Sequence, residues 1–453
     1  MATATQPCEL TIVEAAGLIE GGELSPVELV ESCLARIDAH DDAVKAWALV
    51  DREGALRVAR ERAADLSAGR RNGPLHGIPV GIKDIIFTEG FRTEAGSKLW
   101  AGFVPDYDAT SVARLKAAGA IVLGKTHTTE FAFQDPAPTR NPWDQEHTPG
   151  GSSSGSGAAV AARMCFAALG TQTGGSVLRP AAYNGVVGLK ASHGRISAYG
   201  VVPISWAVDH VGVLARSVED AAIILTATAG HDPQDPYSLT GPVPDYSTVR
   251  PSSAPPRLGI VRDYFFERVG DEMLAHTEHV IAALREAGAS VEEVQLPSGL
   301  ATAPDIWPKL AWTDTAAYHK EDFARRKDEF SPNFRDIVEK GLQTTGTEYA
   351  EANLARLRLR EEMTPVAGAF DALLTPGATG PAPQGLSSTG NAAMNMPWTL
   401  IGFPSMSLPS GLSESGLPLA TQLIVAPFAE EPLLEVAGWC EQTLGVRLRP
   451  PLD

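Results

Sequence analysis

Two Gly-Gly-Ser turns stand about two dozen residues apart in this chain, Gly150-Gly151-Ser152 and Gly174-Gly175-Ser176. A serine closing a turn of small residues can attack a carbonyl. Glycines let successive N–H groups converge on one point, and converging donors are what a developing oxyanion requires. The second turn, at the end of Leu169-Gly-Thr-Gln-Thr-Gly-Gly-Ser176, meets that demand. Competing uses of the glycines fit less well. A flexible linker would stay polar on both sides, yet the apolar stretches Ala158–Ala162 and Cys165–Leu169 follow the first turn. A phosphate loop needs a lysine after its glycines, and 150–177 has none. A dinucleotide fingerprint needs a strand just upstream, where 139–149 reads as turn. Gly151-Ser152-Ser153-Ser154-Gly155 matches the G-x-S-x-G elbow, but that motif too needs a preceding strand.

A serine nucleophile needs a base. Histidine is the usual choice, and His127, His147, His193 and His210 are available, none in a recognisable local motif. Lys83 is the other candidate. It ends the apolar run Ile78-Pro-Val-Gly-Ile82, and lysine is rarely buried without a role or a partner. Its bland alternative is an amine snorkelling from a strand end.

The elements that must position these groups alternate. Ser25-Pro26-Val27-Glu28 opens a helix predicted to run to about Ala39, with a capping box and proline at the first helical position. A second helix is expected over 52–66, so residues 1–70 read as a helical layer packed on the remainder, 71–453. Strands are expected at 76–84, 120–124, 165–169 and 186–189, with helices at 110–118 and 217–228. After a Pro-, Ser- and Asp-rich loop at 232–256 come a strand at 257–261, a helix at 271–287 and a strand at 290–296. Further strands at 372–374, 404–409 and 420–425 precede a closing helix at 431–444. The pattern is α/β, a sheet covered by helices on both faces.

Composition bounds the function. The 453 residues are 44% hydrophobic and 20% charged, as in globular proteins, with a net charge of −18 (37 basic, 55 acidic). That excess of acid argues against nucleic-acid or anionic-membrane partners. No run of 18 apolar residues offers a membrane span, and the first 20 residues do not read as a secretory leader, so a cytoplasmic location is expected. Four scattered cysteines and the absence of H-E-x-x-H leave no metal expected.

Several segments in order change the weight of these readings. GIPVGIKD (77–84), GGSSSGSGAAVAA (150–162), GTQTGGSVLRPAAYNGVVGLK (170–190), DHVGVLARSVEDAA (209–222), LLTP (373–376) and GLPLATQLI (416–424) resemble the amidase signature family across nearly the whole chain. The resemblance implies a single large α/β/α domain with a central twisted mixed β-sheet flanked by helices. It implies amide hydrolysis without a cofactor by a Ser–cisSer–Lys triad: Ser176 as nucleophile, Ser152 as bridging serine after a cis peptide bond, and Lys83 as base. The N–H groups of Thr173, Gly174, Gly175 and Ser176 would form the oxyanion hole.

The chain departs from the family pattern at two places. Gln172 and Leu178 stand where many members carry Asp and Arg, with Arg179 one step later, so an ion pair bracing the loop is replaced, with a Gln172 hydrogen bond one candidate. The expected substrate is a small-molecule amide, with aryl amides, esters and carbamates (urethanes) also open. Phe131, Phe133 and Gln172 are the candidate pocket residues, core packing being the alternative for the two rings. The rival within the family is the glutamine-hydrolysing subunit of a tRNA-dependent amidotransferase. It needs a partner and an acid for the glutamine amino group, and the loose alignment of 391–406 puts Ala392 at that acid. A catalytically silent scaffold on the same fold is the rival of another class. A homodimer is among the assemblies open to the chain.

Overall fold

Apolar runs in the middle of the chain become strands buried on both faces. A computed structural model describes residues 6–452; residues 1–5, the start of the segment read above for a leader, and residue 453 lie outside the described residues. The strands are β1 (Trp47–Val50), β2 (Pro79–Lys83), β3 (Ile121–Thr126), β4 (Ala167–Gln172), β5 (Val187–Lys190), β6 (His210–Ala215), β7 (Arg257–Val261), β8 (Ser290–Val294), β9 (Ala372–Pro376), β10 (Ser405–Leu412) and β11 (Pro418–Ile424). They form one mixed sheet in the order β1-β3-β2-β4-β6-β5-β10-β11-β9-β7-β8. Every residue of β2 to β6 is buried, as expected for strands covered on both sides. β8, at one edge, exposes Glu292 and Glu293, and charge on an edge discourages pairing with other chains.

Helix starts follow their caps. Ser25 and Glu28 form the capping box of Pro26–Val44, Asp51 caps Arg52–Ser67, and Ser217 caps Val218–Thr228. The first of these runs five residues past the expected end, to Val44, and is stopped by Lys45 with its left-handed φ of 53°. Residues 1–70 do not form a purely helical layer, however. Trp47–Val50 pairs antiparallel with β3, so this segment supplies an edge strand of the sheet. The 232–256 loop holds no strand or α-helix but is pinned: Thr110 and Ser197 donate to Asp232 at 2.5 and 2.6 Å. Among the described residues no helix is long and apolar enough to cross a membrane.

The topology places the chemistry. β2 lies between β3 and β4, parallel to both. Its last residue is Lys83; the end of β4 leads directly into the second Gly-Gly-Ser turn. The first turn enters the helix Ser154–Ala161, which packs under β4.

Candidate active site

Lys83 is wholly buried. Its Nζ donates to Ser152 Oγ at 2.7 Å and to Thr171 Oγ1 at 2.7 Å. Burial pushes its pKa well below the ordinary lysine value of 10.5, and the nearby Asp209 carboxylate opposes that shift. A depressed pKa is what an amine needs to act as a base near neutrality. Asp84, next along the chain, points the other way, as strand alternation requires: its Oδ1 lies 3.9 Å from Lys125 Nζ, on the opposite side from the serines. Asp84 and Lys125 hold a buried pair in which desolvation raises the acid to about 6 and lowers the amine to about 7.

The Gly151–Ser152 peptide is cis. Ser152 is buried, and the next residue ties the two turns together: Ser153 N–H donates to the Ser176 carbonyl at 3.3 Å. Ser153 itself is not an elbow nucleophile. It is fully buried, and its hydroxyl donates to the Thr171 carbonyl at 3.3 Å. No strand leads directly into 151–155; among the described residues the one before it, β3, ends at Thr126.

Four donors consume the carbonyls of the second turn. Trp307 Nε1 donates to Thr173 at 2.7 Å, Thr399 Oγ1 to Gly174 at 2.6 Å, Arg179 N–H to Gly175 at 2.9 Å, and Ser153 N–H to Ser176. With the carbonyls engaged, and no acceptor recorded among the described residues for the N–H of Gly174, Gly175 or Ser176, the turn keeps donors free for a ligand. The absence of a side chain is a packing need at Gly175, whereas a Cβ on Gly174 would find its nearest neighbour at 3.8 Å. A Cβ on Gly175 would lie 2.8 Å from Asn395 Oδ1.

Gln172 braces this turn rather than lining a pocket. It is wholly buried; its Oε1 accepts from Val177 and Leu178 N–H at 2.8 and 2.9 Å, and its Nε2 donates to Thr399 Oγ1 at 2.9 Å. The expected ion pair is thus replaced by an amide that takes two backbone donors and hands one on. Arg179 faces no carboxylate among the described residues. Its guanidinium donates to the Gly151 and Gly390 carbonyls at 2.6 and 2.9 Å and to Thr389 Oγ1 at 3.1 Å, joining the first turn to the 387–393 wall.

A cleft of about 900 Å³ opens over Thr173, Gly174, Gly175 and Ser176. Phe133 lines it, but Phe131 does not. The Phe131 ring is buried between His319, Phe330 and Phe334, with centroids 4.4, 5.9 and 5.1 Å away, so packing claims it. The walls that the sequence reading missed are Tyr264, Arg268, Trp307 and the 387–391 stretch of the loop that leads to Ala392. No Asp or Glu lines the cleft among the described residues, and Ala392 does line it. His127, His147, His193 and His210 do not line it; His210 is buried with Nδ1 against the Val208 carbonyl at 2.7 Å. Among the described residues no three His, Cys, Asp or Glu side chains gather as a metal ion would need.

Comparisons with known proteins bear on the family and the fold. The sequence model of the amidase family matches residues 28–434. A glutamyl-tRNA(Gln) amidotransferase subunit from Myxococcus xanthus is 38% identical, over 95% of this chain and 96% of that one. The solved structure of native peptide amidase from Stenotrophomonas maltophilia superposes with a TM-score of 0.86 at 32% identity, over 98% of this chain and 99% of that one. The structure of 6-aminohexanoate cyclic dimer hydrolase gives a TM-score of 0.89 at 28% identity, with 99% of both chains covered. A match over most of the sequence, a fold shared along its length and the buried lysine beside a Gly-Gly-Ser turn point the same way: this chain belongs to the amidase family, enzymes acting on carbon–nitrogen bonds.

Proposed function

We propose that this chain hydrolyses a carboxamide C–N bond through an acyl-enzyme on Ser176. The observation that carries the reading is the buried Lys83 amine, 2.7 Å from Ser152 Oγ with its pKa driven down by burial. Neutral Lys83 takes a proton from Ser152, which takes one from Ser176 as its Oγ attacks the carbonyl carbon. The oxyanion is held by the N–H groups of 173–176. The relay returns the proton to the leaving nitrogen, and the C–N bond breaks. Water, deprotonated along the same path, then cleaves the ester.

Two substrate readings remain within this chemistry. The names of the matched relatives support the glutamine-hydrolysing component of an amidotransferase better than a free-standing small-molecule amidase. On that reading the chain works beside other subunits that receive its ammonia. The cleft supports the second reading, a small-molecule amide. Glutamine carries an α-ammonium group, and a buried cation needs a carboxylate partner, whereas among the described residues the cleft offers Arg179, Arg268, Phe133 and Trp307 and no acid. Carbamates and esters fit the same attack.

A fluorophosphonate probe tests the shared chemistry. Labelling of the wild type that disappears in Ser176→Ala supports it; a folded wild type that does not label overturns it in favour of a silent scaffold. Glutaminase activity on adding amidotransferase partner subunits supports the first substrate reading. Turnover of anilides, alkyl amides, esters or aryl carbamates by the chain alone supports the second.

A further inference from the structure

The motif beginning at Asp209 takes no part in the chemistry above, yet its first residue touches the catalytic turn. We propose that Asp209 is a positioning residue, tying the oxyanion turn at Thr173 to the cleft wall at Ile204 and Ser205 so that the two hold one spacing. The inference rests on the reading of Ser176 as nucleophile. Asp209 Oδ1 accepts from Thr173 Oγ1 at 2.5 Å, and Oδ2 accepts from the N–H of Ile204 and Ser205 at 2.8 and 3.0 Å. Ile204 lines the cleft; Asp209 does not. One carboxylate therefore clamps three donors from two segments more than thirty residues apart in sequence.

The tether continues on both sides. Ser205 Oγ donates to Asp314 at 2.6 Å, and Asp314 accepts from Tyr349 Oη at 3.0 Å. Asp314 lies on the helix Ala303–Arg326, which also carries Trp307, the residue holding the Thr173 carbonyl. Thr173 is thus held through its hydroxyl by Asp209 and through its carbonyl by Trp307. A turn of glycines has no side chains with which to fix itself, so its aim depends on anchors of this kind.

Charge adds a second effect of the same residue. The ionisable groups that bear on Asp209 are Lys83 on β2 and Asp314. Burial raises Asp209 to about 7 against the pull of its three hydrogen bonds, and Asp314 pushes it the same way as burial. Once ionised, Asp209 raises the Lys83 pKa.

The test is the rate of fluorophosphonate labelling against pH in wild type, Asp209→Asn, Asp209→Ala and Thr173→Val, with urea midpoints to verify folding. Asparagine can keep the contacts, its amide oxygen facing the 204–205 N–H groups and its nitrogen facing the Thr173 hydroxyl. Its plateau rate is expected within about fivefold of wild type, with the acidic limb moved to lower pH because Lys83 loses a neighbouring anion. Valine removes the tether and leaves the charge, so the plateau falls about 10- to 100-fold with the limb in place. Alanine shows both changes. Plateau rates of Asp209→Ala and Thr173→Val within twofold of wild type overturn the proposal, as does an Asp209→Asn limb that stays put or moves up. Labelling that persists in Ser176→Ala is a different failure, since it removes the nucleophile assignment on which the inference rests.

Discussion

Replacing Lys83 with methionine should remove activity while changing stability in a way that only a buried, neutral amine explains. Methionine is close to lysine in shape without its nitrogen, and volume-conserving exchanges disturb a core least. Loss of the base is expected to slow Ser176 labelling by about 10²–10⁴-fold, or about 3–5 kcal/mol of barrier. Stability carries the finer test. In the folded chain Lys83 is deprotonated well below 10.5, while in the unfolded chain it keeps its proton up to that value. Between the two values the unfolded state binds more protons, so wild-type stability rises with pH. The penalty grows as pH falls below 10.5 and stops growing at the folded-state value. Methionine has no such dependence. The stability advantage of Lys83→Met over wild type should therefore shrink as pH climbs through this window, by up to about 1.4 kcal/mol per pH unit. Lys125 and Lys190, each lowered by burial to about 7, titrate in both proteins and cancel in the difference. Constant costs, such as the donor lost by Ser152 and Thr171, leave the slope untouched. Urea unfolding at a series of pH values measures it. A pH-independent difference, or one that grows with pH, refutes the account of Lys83 as a desolvated base, and so does a methionine variant that labels at wild-type rate.

Other perturbations follow from the same geometry. Gln172→Leu strands the buried N–H groups of Val177 and Leu178, at about 1–3 kcal/mol each, so urea unfolding should register a loss of about 2–6 kcal/mol; a loss under 0.5 kcal/mol would falsify the bracing role. Gly175→Ala forces a methyl against Asn395 Oδ1 at 2.8 Å and Ala392 Cβ at 3.2 Å, so labelling should slow about 100-fold with a stability loss of about 1–3 kcal/mol, checked by probe kinetics and thermal melting. Ser153→Ala should still label, because that hydroxyl is spent on the Thr171 backbone, whereas Ser176→Ala should not; intact-mass measurement after probe treatment separates them.

Much of the sheet was legible because its strands are continuous apolar runs bounded by glycine and proline. β2, β3, β5, β7 and the last three strands fall within a few residues of the expected positions. β6 was not predicted: its glycine and leading histidine blur the run, and only its antiparallel pairing with β4 and β5 reveals it. β1 was hidden between two strong helices, and four residues carry too little pattern to stand out. Within the site, turn chemistry singled out Ser176, and the choice of Lys83 over the histidines and of Ser152 came from the family resemblance; the structure sets the Lys83 amine 2.7 Å from Ser152 Oγ. Most cleft walls were not readable, because Tyr264, Arg268 and Trp307 come from separate regions with no shared signal, and only tertiary packing assembles them; Ala392 alone was placed by alignment. Phe131 shows the limit of reasoning from residue type: an aromatic two places from a pocket residue went into the core instead.

The holding of the Gly174 carbonyl by Thr399 and of the Thr173 carbonyl by Trp307 has a consequence for synthesis on the ribosome. The proposed nucleophile, relay and base are all translated within the first 176 residues, but the clasps that hold the turn emerge only at 307 and 399. On the proposed mechanism, a nascent chain that already holds every reacting atom still lacks both clasps until its late-made half closes on the early one.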